Sequence, residues 1–201
     1  MSRFSIRFQP GFYIILAVSV LYIPIQWVLA WTAAAAVHEI FHMISLKLCG
    51  YNILSMRVGA GGAQLETDGG NDKRMILCAM AGPVGGLLPV LLLRQCPRLA
   101  LCALFQTAYN LLPIYPLDGG RVLGILISLF LPPKFGNILS YIIENAVLVV
   151  LLAFAVYASI HFHVGILPVV LASGLIAKKY LANKGLWRYN SVICREQEVM
   201  K

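Results

Sequence analysis

Apolar runs at about 11–24, 26–48, 74–93, 99–116, 136–160 and 164–177 take up most of this chain, with little room between them for a soluble domain of normal size. A helix needs about 20 apolar residues to cross a bilayer, and inside hydrocarbon every backbone amide must find its partner within the helix. Of the 201 residues, 60% are hydrophobic and only 12% are charged, about half the charged fraction of a soluble domain. The expected fold is an all-α polytopic membrane protein, a bundle of about six transmembrane helices in the lipid bilayer. The first and last runs are short for a span and suit a small tilt or a peripheral position. Segment 121–131, "RVLGILISLFL", is shorter still and reads as an interfacial or re-entrant helix stopped by Pro132-Pro133. The start, "MSRFSIRFQPGFYIILAVSVLYIP", has the outline of a signal peptide. It lacks a clear small-x-small cleavage site, and apolar sequence resumes after Pro24, so an uncleaved first span is expected.

The formal net charge is +8, which in a soluble chain would raise the question of nucleic acid. Here the basic residues flank the apolar runs, so they set topology and meet anionic lipid, and nucleic acid is not an expected partner. With six spans and both termini in the cytosol, 14 Lys and Arg fall on the cytosolic side, and only Arg94 and Arg98 on the other. The positive-inside rule thus favours a multi-pass cell-membrane protein with both ends inside. Residues 1–180 are expected to form one membrane domain and 181–201 a short basic cytosolic tail. Cys49, Cys78, Cys96, Cys102 and Cys194 show no C-x-x-C pair and read as packing residues. Between the second and third runs, 52–58 and 63–67 have β-character around a Gly59-Ala60-Gly61-Gly62 turn, which predicts a small hairpin at the membrane surface.

One stretch stands out chemically. In "AAAAVHEIFHMI", residues 33–44, two histidines and a glutamate lie in a strongly apolar segment, where ionisable groups are costly and usually serve a function. His38 and His42 are four apart, so on a helix both imidazoles leave from one face and can clamp a metal. Glu39 can take a proton from a water in an open metal position. A catalytic zinc takes three protein ligands, and the third should come from the same end of another span. Asp118, in "YNLLPIYPLDGGR" at 109–121, is the candidate. Pro113 and Pro116 interrupt the helix there and Gly119-Gly120 lets the chain turn, so the carboxylate can swing toward a neighbouring helix. The competing role for Asp118 is to cap the helix that follows. The histidines tip the choice toward ligand. The donor set suits one Zn2+ per chain, and also admits iron or cobalt.

His-Glu-x-x-His in one span followed by Asn-x-x-Pro-x-x-Pro-Leu-Asp-Gly-Gly-Arg in a later one resembles the site-2 protease family of intramembrane zinc metalloproteases. "NLLPIYPLDGGR" is especially similar to the branch containing the sporulation protease that processes pro-sigma-K. The resemblance implies His38, His42 and Asp118 as zinc ligands, Glu39 as general base, and Asn110, Pro113 and Pro116 as residues that help hold an unwound substrate. It implies regulated intramembrane proteolysis of a membrane-tethered protein, such as a pro-sigma factor, with a membrane-protein inhibitor or regulator as a further partner. Two features depart from relatives. The 67 residues between His42 and Asn110 leave no room for a PDZ domain, and the tail is too short for a CBS domain. The hairpin next to the His-Glu-x-x-His span is a candidate surface for pairing with an extended substrate strand. Alternatives are a zinc transporter, which would need relay sites across the bilayer, and a binding-only relative, against which the intact Glu39 argues.

Other polar features read as structure. Gly82-x-x-x-Gly86 is a close-packing motif. Glu144 is expected to pair with an Asn or Tyr across helices or to lie at the interface. His161 and His163 read as surface residues, and Tyr109 and Tyr115 as aromatic wall around the Asp118 motif.

Overall fold

The structure, a computed structural model, describes residues 5–59, 62–68, 74–161 and 168–180. The expected basic tail at 181–201 and His163 lie outside the described residues. Strand β1 (Ser5–Phe8) leads into helix α1 (Pro10–Tyr22). Pro10 occupies the first helical turn, where its missing amide costs nothing, and Ile23, extended before Pro24, ends the helix. Helix α2 (Ile25–Leu48) is a 24-residue rod of about 36 Å. It stops at Gly50, whose φ of 86° is left-handed. The Tyr51 amide donates to the Leu46 carbonyl and the Gly50 amide to Lys47, a closure that satisfies the last helical carbonyls.

Strands β2 (Ile53–Gly59) and β3 (Gly62–Thr67) form the expected hairpin, with Val58 opposite Ala63 and Met56 opposite Leu65. They do not stand alone: β1 lies parallel to β2, with Ile6 opposite Met56, making a three-stranded sheet of order β1-β2-β3. At the hairpin's base the Asn52 backbone and side-chain amides both donate to the Asp68 carboxylate, which holds that carboxyl below its ordinary range. Helix α3 (Arg74–Gly86) runs on into a 3-10 turn at Leu88–Leu92.

Helix α4 (Pro97–Asn110) ends well short of the expected 116, because the Pro113-Pro116 stretch cannot continue a helix. Helix α5 (Asp118–Phe130) starts three residues before the expected 121. Helices α6 (Pro133–His161) and α7 (168–180) complete the described chain.

Six spans are not confirmed among the described residues. Three helical stretches are long and apolar enough to cross a membrane: Ile25–Leu48, Arg74–Leu92 and Pro133–His161. Helices α1 and α4, with 13 and 14 residues, reach only about 20 Å, against a hydrocarbon core of about 30 Å. Large apolar side chains such as Ile14, Leu29, Val149, Val150 and Phe154 are exposed on the outside, the surface that lipid would cover.

Inside, Ala34 of α2 packs on Cys102 and Ala103 of α4, while Ile114 and Leu117 of the α4–α5 loop pack on Leu148 of α6 and Leu175 of α7. Cys78 and Cys102 are buried and unbridged, as packing residues should be. Glu144 finds a partner that sequence did not suggest. Its carboxylate is 3.0 Å from the Lys179 ammonium, which also donates to Asn145 Oδ1 at 3.0 Å. Lys179 is thus buried rather than free at the surface, because α7 folds back along α6.

Candidate metal centre

His38 and His42 lie on α2, about two to three turns inside its C-terminal end. Both point at α3, and the reason is a flat face of glycines. A methyl on Gly82 would overlap the His42 ring and one on Gly85 the Phe41 ring. A methyl on Gly86 would sit 3.2 Å from His38 Nδ1. The pairing of Gly82 with His42 and Gly86 with His38 shows the helices running antiparallel at close range. The packing expected of Gly82-x-x-x-Gly86 is real, and its partner is the histidine face itself.

The third side chain comes from α5. The Asp118 carboxylate does not cap its helix. Instead Oδ2 lies 3.0 Å from His38 Nε2 and 3.1 Å from His42 Nε2, and the two imidazole nitrogens are 3.1 Å apart. Gly119 and Gly120 do not turn the chain as expected. They sit in the first turn of α5, and side chains there would overlap the backbone of Leu111 and Ile114. Two glycines therefore let the α4–α5 loop fold against the start of α5, which brings Asp118 to the histidines. All three side chains are buried.

His38, His42 and Asp118 are a group whose donor atoms can hold a metal ion. Donors in a tetrahedral zinc site stand about 3.3 Å apart, close to the separations here. The chemistry of the set agrees. The His42 Nδ1–H donates to the Cys78 carbonyl at 2.8 Å, which leaves Nε2 with its lone pair toward the shared point. Gathering three electron-pair donors out of water is unfavourable without a cation to satisfy them. The residues fit the ion that the sequence suggests.

Glu39, next along α2, is half-buried and within electrostatic range of both histidines, Asp118 and Arg121. Asn110 ends α4 with its Nδ2 3.3 Å from His38 Nε2. Pro113 and Pro116 lie in the loop between Asn110 and Asp118, both half-buried. Tyr109 packs against the Ile114–Leu148 cluster as wall, with the Lys178 ammonium 5.8 Å over its ring. His161 stacks on Tyr157 at the end of α6, apart from the cluster. Sequence reasoning missed Cys78, whose part is played by its carbonyl, the acceptor for His42.

Antiparallel helices packed round a buried His-His-Asp group, flanked by a small sheet, define a helical membrane-type fold with a candidate metal centre. That fold is similar to the solved structure of the site-2 protease from Methanocaldococcus jannaschii. The match has a TM-score of 0.62, covers 87% of this chain and 90% of that one, and shows 18% sequence identity. No protein-family model and no curated protein matches this sequence.

Proposed function

We propose that the chain is an intramembrane zinc endopeptidase that hydrolyses a peptide bond in or near the membrane segment of a membrane-tethered protein. The observation that carries this reading is the convergence of His38 Nε2, His42 Nε2 and Asp118 Oδ2 within 3.1 Å on apolar helices, with Glu39 alongside. The similarity in fold to a site-2 protease supports it.

His38, His42 and Asp118 would hold one Zn2+. When bound, zinc supplies a Lewis acid that polarises a carbonyl and acidifies water. Glu39 accepts a proton from the attacking water and passes it to the leaving amine, the work of a general base turned acid. A substrate helix hides its carbonyls in its own hydrogen bonds and must be unwound first. The Asn110 amide, 3.3 Å from His38 Nε2, would donate to a freed substrate carbonyl, and the Pro113-Pro116 loop would help hold the unwound segment. Among the described strands β2 is paired on both sides, so an extended substrate would add at the outer edge of β1 or β3. Proline substitutions along β1 and β3 that leave cleavage unchanged would remove this part of the proposal.

The distribution of basic residues supports a multi-pass protein of the cell membrane with its ends and site toward the cytosol. The likeness of "NLLPIYPLDGGR" to the sporulation branch makes a membrane-associated pro-sigma factor the first substrate to try. A transporter is disfavoured, because among the described residues no second group of three such side chains gathers to form a relay.

The test is co-expression of the chain, wild type or Glu39→Gln, with membrane-tethered candidates that include a pro-sigma factor. Shortened product from the wild type, reduced about 100-fold or more in Glu39→Gln, is the expected result. Equal cleavage by both would remove Glu39 from the mechanism.

A further inference from the structure

The two histidines of the cluster are supported unequally. His42 has the Cys78 carbonyl behind it, whereas His38 Nδ1 is buried with no hydrogen-bond partner among the described residues. If Nε2 of His38 turns its lone pair toward a cation, the proton must sit on Nδ1. A buried N–H with no acceptor is unfavourable.

A second buried atom has the same deficit. Thr107 Oγ1, on α4, also has no partner. The two atoms flank one point: the position a Gly86 methyl would take is 2.8 Å from Thr107 Oγ1 and 3.2 Å from His38 Nδ1. They lie no farther apart than those two distances laid end to end, a span that a single bridging water covers. Gly86, by having no side chain, keeps that space open to both. One atom is a donor in search of an acceptor, and the other a hydroxyl that can accept and donate.

We propose that Thr107 is a positioning residue for His38. Through one water seated against Gly86, its hydroxyl anchors an acceptor for the Nδ1–H, which fixes the tautomer that leaves Nε2 free for a metal and holds the ring in place. Thr107 touches neither metal nor substrate and acts only through His38. The inference rests on the metal-site reading of the cluster above.

The experiment measures the zinc Kd of the purified full chain in detergent by competition with a chelator, for wild type, Thr107→Val and Thr107→Ser, with metal-free thermal unfolding alongside. Valine keeps the shape and removes the hydroxyl, and serine restores it. Thr107→Val is expected to bind zinc 10–100-fold more weakly, as outer partners of metal-binding histidines do, with Thr107→Ser within about threefold of wild type. Zinc affinity unchanged in Thr107→Val would overturn the proposal, as would Thr107→Ser as weak as Thr107→Val. Should the valine chain not fold, Thr107→Ala measured against Thr107→Ser carries the same two outcomes. A wild type that binds no zinc would bring down the metal-site reading and this proposal with it. A wild type that binds, with an indifferent Thr107, would bring down this proposal alone.

Discussion

Glu144 and Lys179 meet at 3.0 Å between α6 and α7, while His38, His42 and Asp118 meet at 3.0–3.1 Å between α2 and α5. Both are buried polar groups in apolar helices, yet they are balanced differently. The first matches a carboxylate with an ammonium, and Asn145 Oδ1 accepts a further hydrogen bond from that ammonium. It needs nothing from outside. The second collects one carboxylate oxygen and two imidazole nitrogens, all able to give electron pairs to a single point. A buried ion pair is fastening, whereas a buried set of convergent donors asks for a cation.

The contrast can be broken in order of effect. Asp118→Ala should weaken zinc binding at least about 100-fold, beyond the range typical of outer partners, while metal-free unfolding changes little. Chelator competition and thermal unfolding on the same preparation check both halves. Glu144→Ala should do the reverse: it strands Lys179, lowers stability by about 3–5 kcal/mol, and leaves zinc affinity within about threefold. Joint replacement by Glu144→Met and Lys179→Met should return stability close to wild type, since a matched pair and a packed apolar pair often come out even. Gly82→Ala stands between the two regions. Its methyl would overlap the His42 ring, so it should cost about 1–3 kcal/mol and weaken zinc binding together. The smallest effect is at the sheet. The Asp68 carboxyl is held below its ordinary range by Asn52, so its contribution is intact above the unfolded value. It fades as pH falls through the folded one. The protection of the Asn52 amide, its exchange rate relative to an unstructured amide at the same pH, should fall under acid, and Asp68→Asn should flatten that dependence.

Much of the candidate site was legible, because its signals are local or rare. Two histidines four apart share a helix face whatever the rest of the chain does, and Asp118 stood out by the scarcity of carboxylates in the apolar runs. The Gly82 and Gly86 pattern announced close packing without naming the partner, since only the antiparallel arrangement of α2 and α3 puts His42 and His38 against them. The Glu144–Lys179 pair spans a distance in sequence that no pattern bridges. Strand β1 has four residues, too few to show alternation, and is a strand because β2 offers it an edge. Helix α4 ends at Asn110 although apolar residues continue past it, because the prolines that the sequence shows do not let the helix follow. Thr107 carried no signal at all. A threonine in an apolar helix is ordinary until the atom across from it is known.

The offset of 76 positions from His42 to Asp118 also orders events in time. At synthesis rates of about 5–20 residues per second, the histidine pair leaves the ribosome several seconds before its carboxylate partner. During that interval α2 and α3 can close on their glycine face, but the set of donors is incomplete. A nascent chain halted before α5 would hold a metal by two imidazoles at most. In the proposed role, the enzyme cannot be armed until its second half has entered the membrane.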